Sequence, residues 1–246
     1  MADFITPPLP KDLQFWRHKA ERMRRKSLRF VQLDADGTRA VEMLQRALDV
    51  IHDLTKVHPH RDEDELTIQF LGIRLFNAIV TSYEMMLCGY YQVSLALQRD
   101  IIEVGLLLDY FDFDRTQIRH WREADNEERK KHFKQVKIRE TLDARDGQVA
   151  EERRRIYEMY CEYAAHPTYA GNILLAPRGL GEIGPFFEEE LLRHGLFELT
   201  RQSLWAATNY LALFSHLSPP LKASVDRFIH QAFEWFENNV GRLKVT

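Results

Sequence analysis

Two stretches of this chain, LTIQFLGIRLFNAIVTSYEMML (residues 66–87) and YQVSLALQRDIIEVGLLLDYF (residues 91–111), are apolar around most of a helical circumference. A helix without a solvent face of its own must be enclosed by other helices, so the pair predicts the centre of a multi-helix bundle. The rest of the chain supplies the enclosing elements. Apolar residues recur at three- and four-residue spacing almost throughout, and β-branched alternation is nearly absent. The expected fold class is all-α, with one helical domain over residues 1–246 and an extended segment at 1–10.

The breaks between helices are marked by specific residues. DADG at 34–37 reads as a turn of residues that tolerate the left-handed region, dividing a first helix over 11–33 from a second that runs to about Val57. In the first helix, Leu13, Trp16, Ala20, Met23, Ser27 and Phe30 form the expected inward stripe. His58 precedes Pro59 and is pushed out of the helical region, and the acids after it suit the first turn of a third helix beginning near Asp62. The two central helices, 62–87 and 89–111, are followed by short amphipathic pieces near 114–124, 127–133 and 136–144 and a longer helix near 148–165. Residues 166–185 hold four glycines and three prolines, which rules out a helix and makes NILLAP and LGEIGPF, around Arg178 and Gly179, candidates for a short β-hairpin. Two long helices, near 186–216 and 219–243, are split by Ser218-Pro219-Pro220.

An apolar share of 45% in 246 residues is ample for a core. The two cysteines, Cys88 and Cys161, fall in apolar-periodic helices and read as buried free thiols, with no framework that calls for an oxidising compartment. The N-terminus lacks the pattern of a secretory signal, and the most apolar stretch is interrupted by Arg99, Asp100, Glu103 and Asp109, which lipid would not accommodate. No membrane association is expected, and the location expected is cytoplasmic. The net charge is −3 but unevenly placed. Seven Lys or Arg lie between Arg17 and Arg29 against the single Glu21, and Arg129, Lys130, Lys131, Lys134, Lys137 and Arg139 form a second basic cluster. These are either solvated helix faces or surfaces for RNA or another phosphate-bearing ligand.

The fourth helix carries the most informative polar pattern. At 100° per residue Gln92, Arg99, Glu103 and Tyr110 point within about 40° of one another on a helix otherwise made of Leu, Ile and Val. Arg99 and Glu103 are four apart and are expected to pair, as a register-fixing ion pair or as the lining of a polar pocket. A second stripe on the third helix, Arg74, Asn77, Thr81, Glu84 and Cys88, is either an exposed edge or the other wall of that pocket. His166 ends its helix before Pro167, so its imidazole is expected to cap the last carbonyls or to reach across to Arg99 and Glu103. The candidate polar site is therefore Arg99, Asp100, Glu103, Tyr160 and His166. No cofactor or metal ligand set is expected: with Gly37 in the sixth position of a calcium loop, the first and last ligands would be Gln32 and Met43.

GYYQVSLALQRDIIEVGLLLDYF, Trp121, YCEYAAHPTY and EIGPF together resemble a group of bacterial and phage-associated all-helical proteins without an assigned activity. In that group an Arg-Asp-x-x-Glu, here Arg99, Asp100 and Glu103, precedes a Tyr-x5-His-Pro segment, here Tyr160, His166 and Pro167. More remotely, the helical layout is similar to the HEPN superfamily. That resemblance implies metal-independent RNA cleavage by an Arg and a His four to six residues apart, usually across a homodimer; Arg46 with His52 and Arg115 with His120 have the spacing. The function expected is thus a helical binding protein with a buried polar site. The alternatives are a HEPN-like ribonuclease and a non-catalytic nucleic-acid-binding accessory protein. A homodimer is also expected, and Phe214, Phe228, Phe233, Trp235 and Phe236 on the last helices are candidates for its interface.

Overall fold

The computed structural model describes residues 11–147, 152–177 and 179–243. The helices are α1 (Lys11–Leu33), α2 (Ala35–His52), α3 (Glu63–Leu87), α4 (Tyr91–Phe113), α5 (Thr116–Glu123), α6 (Asn126–His132), α7 (Gln135–Asp146), α8 (Glu152–Tyr160), α9 (Glu189–Ala212) and α10 (Pro219–Leu243). Two π-turns, Asp53–Val57 and Cys161–Ala165, extend α2 and α8, and a 3-10 turn, Ala170–Leu174, follows the second of them. As their all-round apolarity demands, α3 and α4 are central: α4 packs most extensively on α3 and α9, and α2 closes the group against α9. The other flank of α4 receives α7, α8 and the second π-turn.

Several helix boundaries follow from capping carboxylates. Asp62 accepts a hydrogen bond from the Glu65 N–H at 2.8 Å, and Asp125 accepts from the N–H groups of Glu127 and Glu128. Asp34 does the same for Gly37 at 2.8 Å, which changes the reading of DADG. Asp34 alone is extended there, at φ −97° and ψ 113°, and Gly37 lies in the first turn of α2 rather than in a left-handed turn. One capping residue is enough to end α1 and start α2. The predicted hairpin at 166–185 does not form: no strand occurs among the described residues. The segment instead has the 3-10 turn and one cross-loop hydrogen bond, Glu182 N–H to Leu175 O at 2.9 Å. Gly179 and Gly184, both at φ 77°, turn the backbone where a strand would have to stay extended.

The inward stripe of α1 is correct only at its C-terminal end. Ser27 is buried, whereas Leu13 is 54% exposed; the first half of α1 touches the loop at Ile183 and Gly184 through Lys19 and Trp16. Phe214, Phe228 and Trp235 are buried in the chain's own core, leaving Phe233 exposed. Cys88 and Cys161 are unpaired and half-buried rather than buried. Among the described residues no helix is long and apolar enough to cross a membrane.

Candidate functional site

The polar stripe of α4 meets α7 and α8. On α7, Gln135, Ile138, Arg139 and Leu142 follow the i, i+3, i+4, i+7 pattern of a buried face, so Arg139 takes a core-facing position beside Ile138 and Leu142, both fully enclosed. On α8 the same pattern, Arg153, Ile156, Tyr157 and Tyr160, turns both tyrosines toward α4. A charged network holds the two short helices in place: Arg145 pairs with Asp109 of α4 at 2.6 Å and with Asp146 at 2.6 Å, while Arg153 pairs with Asp143 at 2.6 Å and with Asp146.

Inside this frame Arg99 pairs with Glu103 at 2.6 Å, the pairing predicted from their spacing. Arg99 Nη2 also donates to the Tyr157 hydroxyl at 2.6 Å, and that hydroxyl donates to Glu103 Oε1 at 2.8 Å. Two guanidinium groups lie over the Tyr157 ring, Arg99 at 5.1 Å and Arg139 at 4.4 Å from its centroid. Burial, the largest influence, together with the Glu103 carboxylate pushes the Tyr157 phenol up to about 12, against the opposing pull of Arg99. Burial alone would lower the Arg99 guanidinium, but Tyr157 and Glu103 hold it above its ordinary value.

Arg139 differs from its neighbours in what it lacks. The residue is 8% exposed, and its Nε and Nη1 have no hydrogen-bond acceptor among the described residues. Arg99 Nε and Gln135 Oε1 are buried and unpartnered as well. Two guanidiniums lie over one phenol ring, one of them paired with Glu103, and three of their nitrogens are unused among the described residues. Arg99 and Glu103 keep 28% and 27% of their side chains exposed, so the cluster opens to solvent on one side. Such donors, half-fixed by packing, are suited to an oxyanion.

The remaining residues of the predicted site lie elsewhere. Asp100 pairs with Arg74 of α3 at 2.5 Å rather than joining Glu103; with Asn77 and Thr81 exposed beside Arg74, this is the outer edge of the α3–α4 pair, where these residues line a shallow groove without Arg99 or Glu103. Tyr160 is 1% exposed, with its hydroxyl 3.1 Å from Gln98 Oε1 and 3.2 Å from Glu198 Oε2. His166 is exposed; its backbone N–H caps the π-turn at Cys161 O, and no hydrogen bond of its ring joins it to Arg99 or Glu103. Arg139 and Tyr157 are the residues that the candidate set omitted. The signal for Arg139 was its place in the 135-138-139-142 stripe, which membership of a basic cluster obscured.

The Arg–His pairs have separate surroundings. Arg115 donates to the carbonyls of Leu213 and Ala212 at 2.7 and 2.9 Å, ending α9, while His120 packs on His132 and Phe133. Arg46 is exposed, and His52 lies against Phe76 of α3. In the α1 basic segment, Arg24 and Arg25 share Glu21, Lys19 donates to Ile183 O, and Lys26 lies over Phe187. No protein-family model, curated protein or solved structure matches this chain.

Proposed function

We propose that this chain is a non-catalytic helical binding module that takes a phosphate-bearing ligand at Arg99 and Arg139. The observation that supports the reading is Arg139, a guanidinium more than nine-tenths buried with two nitrogens lacking an acceptor. A buried donor left without a partner costs about 1–3 kcal/mol, more when charged, and a charged N–H group is a donor that a phosphate oxygen accepts. Glu103 is already shared by Arg99 and Tyr157, and among the described residues the second guanidinium has no carboxylate of its own. Exposed Lys131, Lys134 and Lys137 on α6 and the start of α7 raise the positive potential through which a polyanion approaches.

Arg139→Met separates this reading from a purely structural one. Met keeps most of the packing volume and removes the unpartnered donors. The variant is expected to melt at the same temperature as the parent or higher, because losing the orphaned donors offsets losing the contact with Tyr157. By isothermal titration calorimetry the parent is expected to bind inorganic phosphate with an affinity that falls as NaCl is raised, and the variant to bind it at least about tenfold more weakly. Unchanged phosphate binding in the variant, or none in the parent, would refute the assignment.

A further inference from the structure

The basic segment of α1 and the loop beside it form a surface that neither the core nor the Arg99–Arg139 cluster uses. At about 100° per residue, Phe15, Arg22, Lys26, Arg29 and Leu33 point within about 60° of one another, on the side of α1 turned away from Ala20 and Ser27. All five are exposed. Glu21, the only acid between Arg17 and Arg29, is taken by Arg24 and Arg25, so Arg22 and Arg29 stand without an ion pair among the described residues. The stripe is a row of cations between two apolar ends.

The chain before α9 runs along this helix and fixes where its own apolar side chains emerge. Lys19 Nζ donates to Ile183 O at 3.1 Å, Gly184 lies against the Trp16 ring, Lys26 stands 4.1 Å over the Phe187 ring, and Phe187 meets Phe30 edge-on. These contacts advance along α1 from Trp16 to Phe30 as the chain advances from 183 to 187, which holds the two side by side. Leu180 and Ile183 therefore stand beside the Phe15 end of the stripe, 79% and 78% exposed, while Leu33 at the other end is 81% exposed. Glu182 is the one acid between 179 and 187. Exposed aliphatic side chains are ordinary when scattered singly; grouped around a row of cations they mark an interaction surface.

We propose that this face of α1, with the loop at 180–183, lies on an anionic phospholipid bilayer. Arg22, Lys26 and Arg29 sit at the level of the lipid phosphates, and Phe15, Leu33, Leu180 and Ile183 enter the boundary of the acyl chains. Nucleic acid matches the same cations but takes up none of the four apolar side chains, which is why lipid is the favoured partner. Among the described residues no helix is long and apolar enough to cross a membrane, and lying on one requires none. The surface is independent of the oxyanion reading, which rests on α4 and α7.

Flotation of the full chain with phosphatidylcholine vesicles, with and without phosphatidylglycerol, is the test. The parent is expected to bind the mixed vesicles at least about tenfold more tightly than phosphatidylcholine alone, and more weakly as NaCl is raised. Leu180→Ser with Ile183→Ser removes apolar surface only from exposed positions, so the melting temperature is expected to hold while vesicle affinity falls at least about tenfold. Arg22→Gln with Arg29→Gln is expected to cost a similar factor on the mixed vesicles. Arg139→Met is expected to leave flotation unchanged, so failure of the oxyanion reading leaves this one standing. No flotation of the parent, flotation unaffected by either double variant, or loss of flotation in R139M would overturn the assignment. Single-stranded RNA that displaces the vesicles and binds L180S/I183S as well as the parent would give the face to nucleic acid instead.

Discussion

Tyrosine is where this fold most changes the chemistry of single residues. Burial pushes Tyr91 and Tyr157 up to about 12 and raises Tyr160 and Tyr210 well above the ordinary phenol range. Their hydroxyls are positioned by specific partners: Tyr210 by Thr55 at 3.0 Å, Tyr91 by the backbone of Glu188, and Tyr157 by Glu103, of which Glu103 adds to the upward shift while burial outweighs the other two. In the unfolded chain these groups ionise near pH 10, so between about 10 and 12 the folded state binds more protons than the unfolded one. Their contribution to stability is therefore complete below pH 10 and lost as pH rises through the folded values. Titrating the protein while following 295 nm absorbance and helical circular dichroism should show the buried tyrosines ionising together with the loss of helix. A full set of phenolate signals near pH 10 with the helix signal intact would contradict the assigned environments. Sequence reading reaches part of this picture. Arg99 with Glu103 was legible because four residues on one helix fix their proximity, whereas Tyr157 over Arg139 depends on how α7 and α8 meet.

Joints between helices depend on a few residues whose backbone has no substitute. Gly89 ends α3 at φ 83°, and a Cβ there would lie 2.0 Å from Phe186 O, in the segment leading into α9. Phe186 N–H returns a hydrogen bond to Gly89 O at 3.3 Å, so this one glycine joins the α3–α4 turn to the approach of α9. Gly89→Ala is strained on both counts and is expected to lower unfolding free energy by about 3 kcal/mol in urea titrations. A loss below about 1 kcal/mol would mean that the approach of α9 adjusts freely. At this scale the sequence is a good guide wherever a helix boundary has a local cause. Asp34, Asp62 and Pro59 mark their breaks through capping and steric effects that involve only nearby residues. The segment after His166 was harder to read, because its turns are set by what they pack against: Gly171 by Tyr163, and Gly184 by Trp16 of α1.

Across the whole molecule, burial is concentrated on one helix group and is thinnest in the first half of α1, while α10 adds one buried stripe, Leu221, Val225, Phe228, Ala232 and Trp235. The residues of α3, α4 and α9 supply much of the main core, including Leu75, Ile79, Ile101, Leu108, Leu199 and Ala207, all inaccessible to solvent or nearly so. By contrast α10 meets α2 and α9 through a narrow line of contacts, and the first half of α1 exposes Leu13 and Phe15. Two cavities follow from this loose outer packing, one of ≈ 450 Å³ beside Trp235 and Phe197 and one of ≈ 280 Å³ beside Trp205 and Phe236. A segment with few buried apolar contacts opens at a lower free energy than the global transition. Native-state hydrogen exchange should therefore rank the amides, with those of α4 and α9 exchanging only through global unfolding and those of α10 exchanging several kcal/mol earlier. The α3 amides near Leu75 and Ile79 belong with the slow set, and the α1 amides before Ala20 with the fast one. Identical exchange free energies in α10 and α4 would mean that the cavities around Trp235 do not weaken the attachment of α10, and that the bundle unfolds as one unit from end to end.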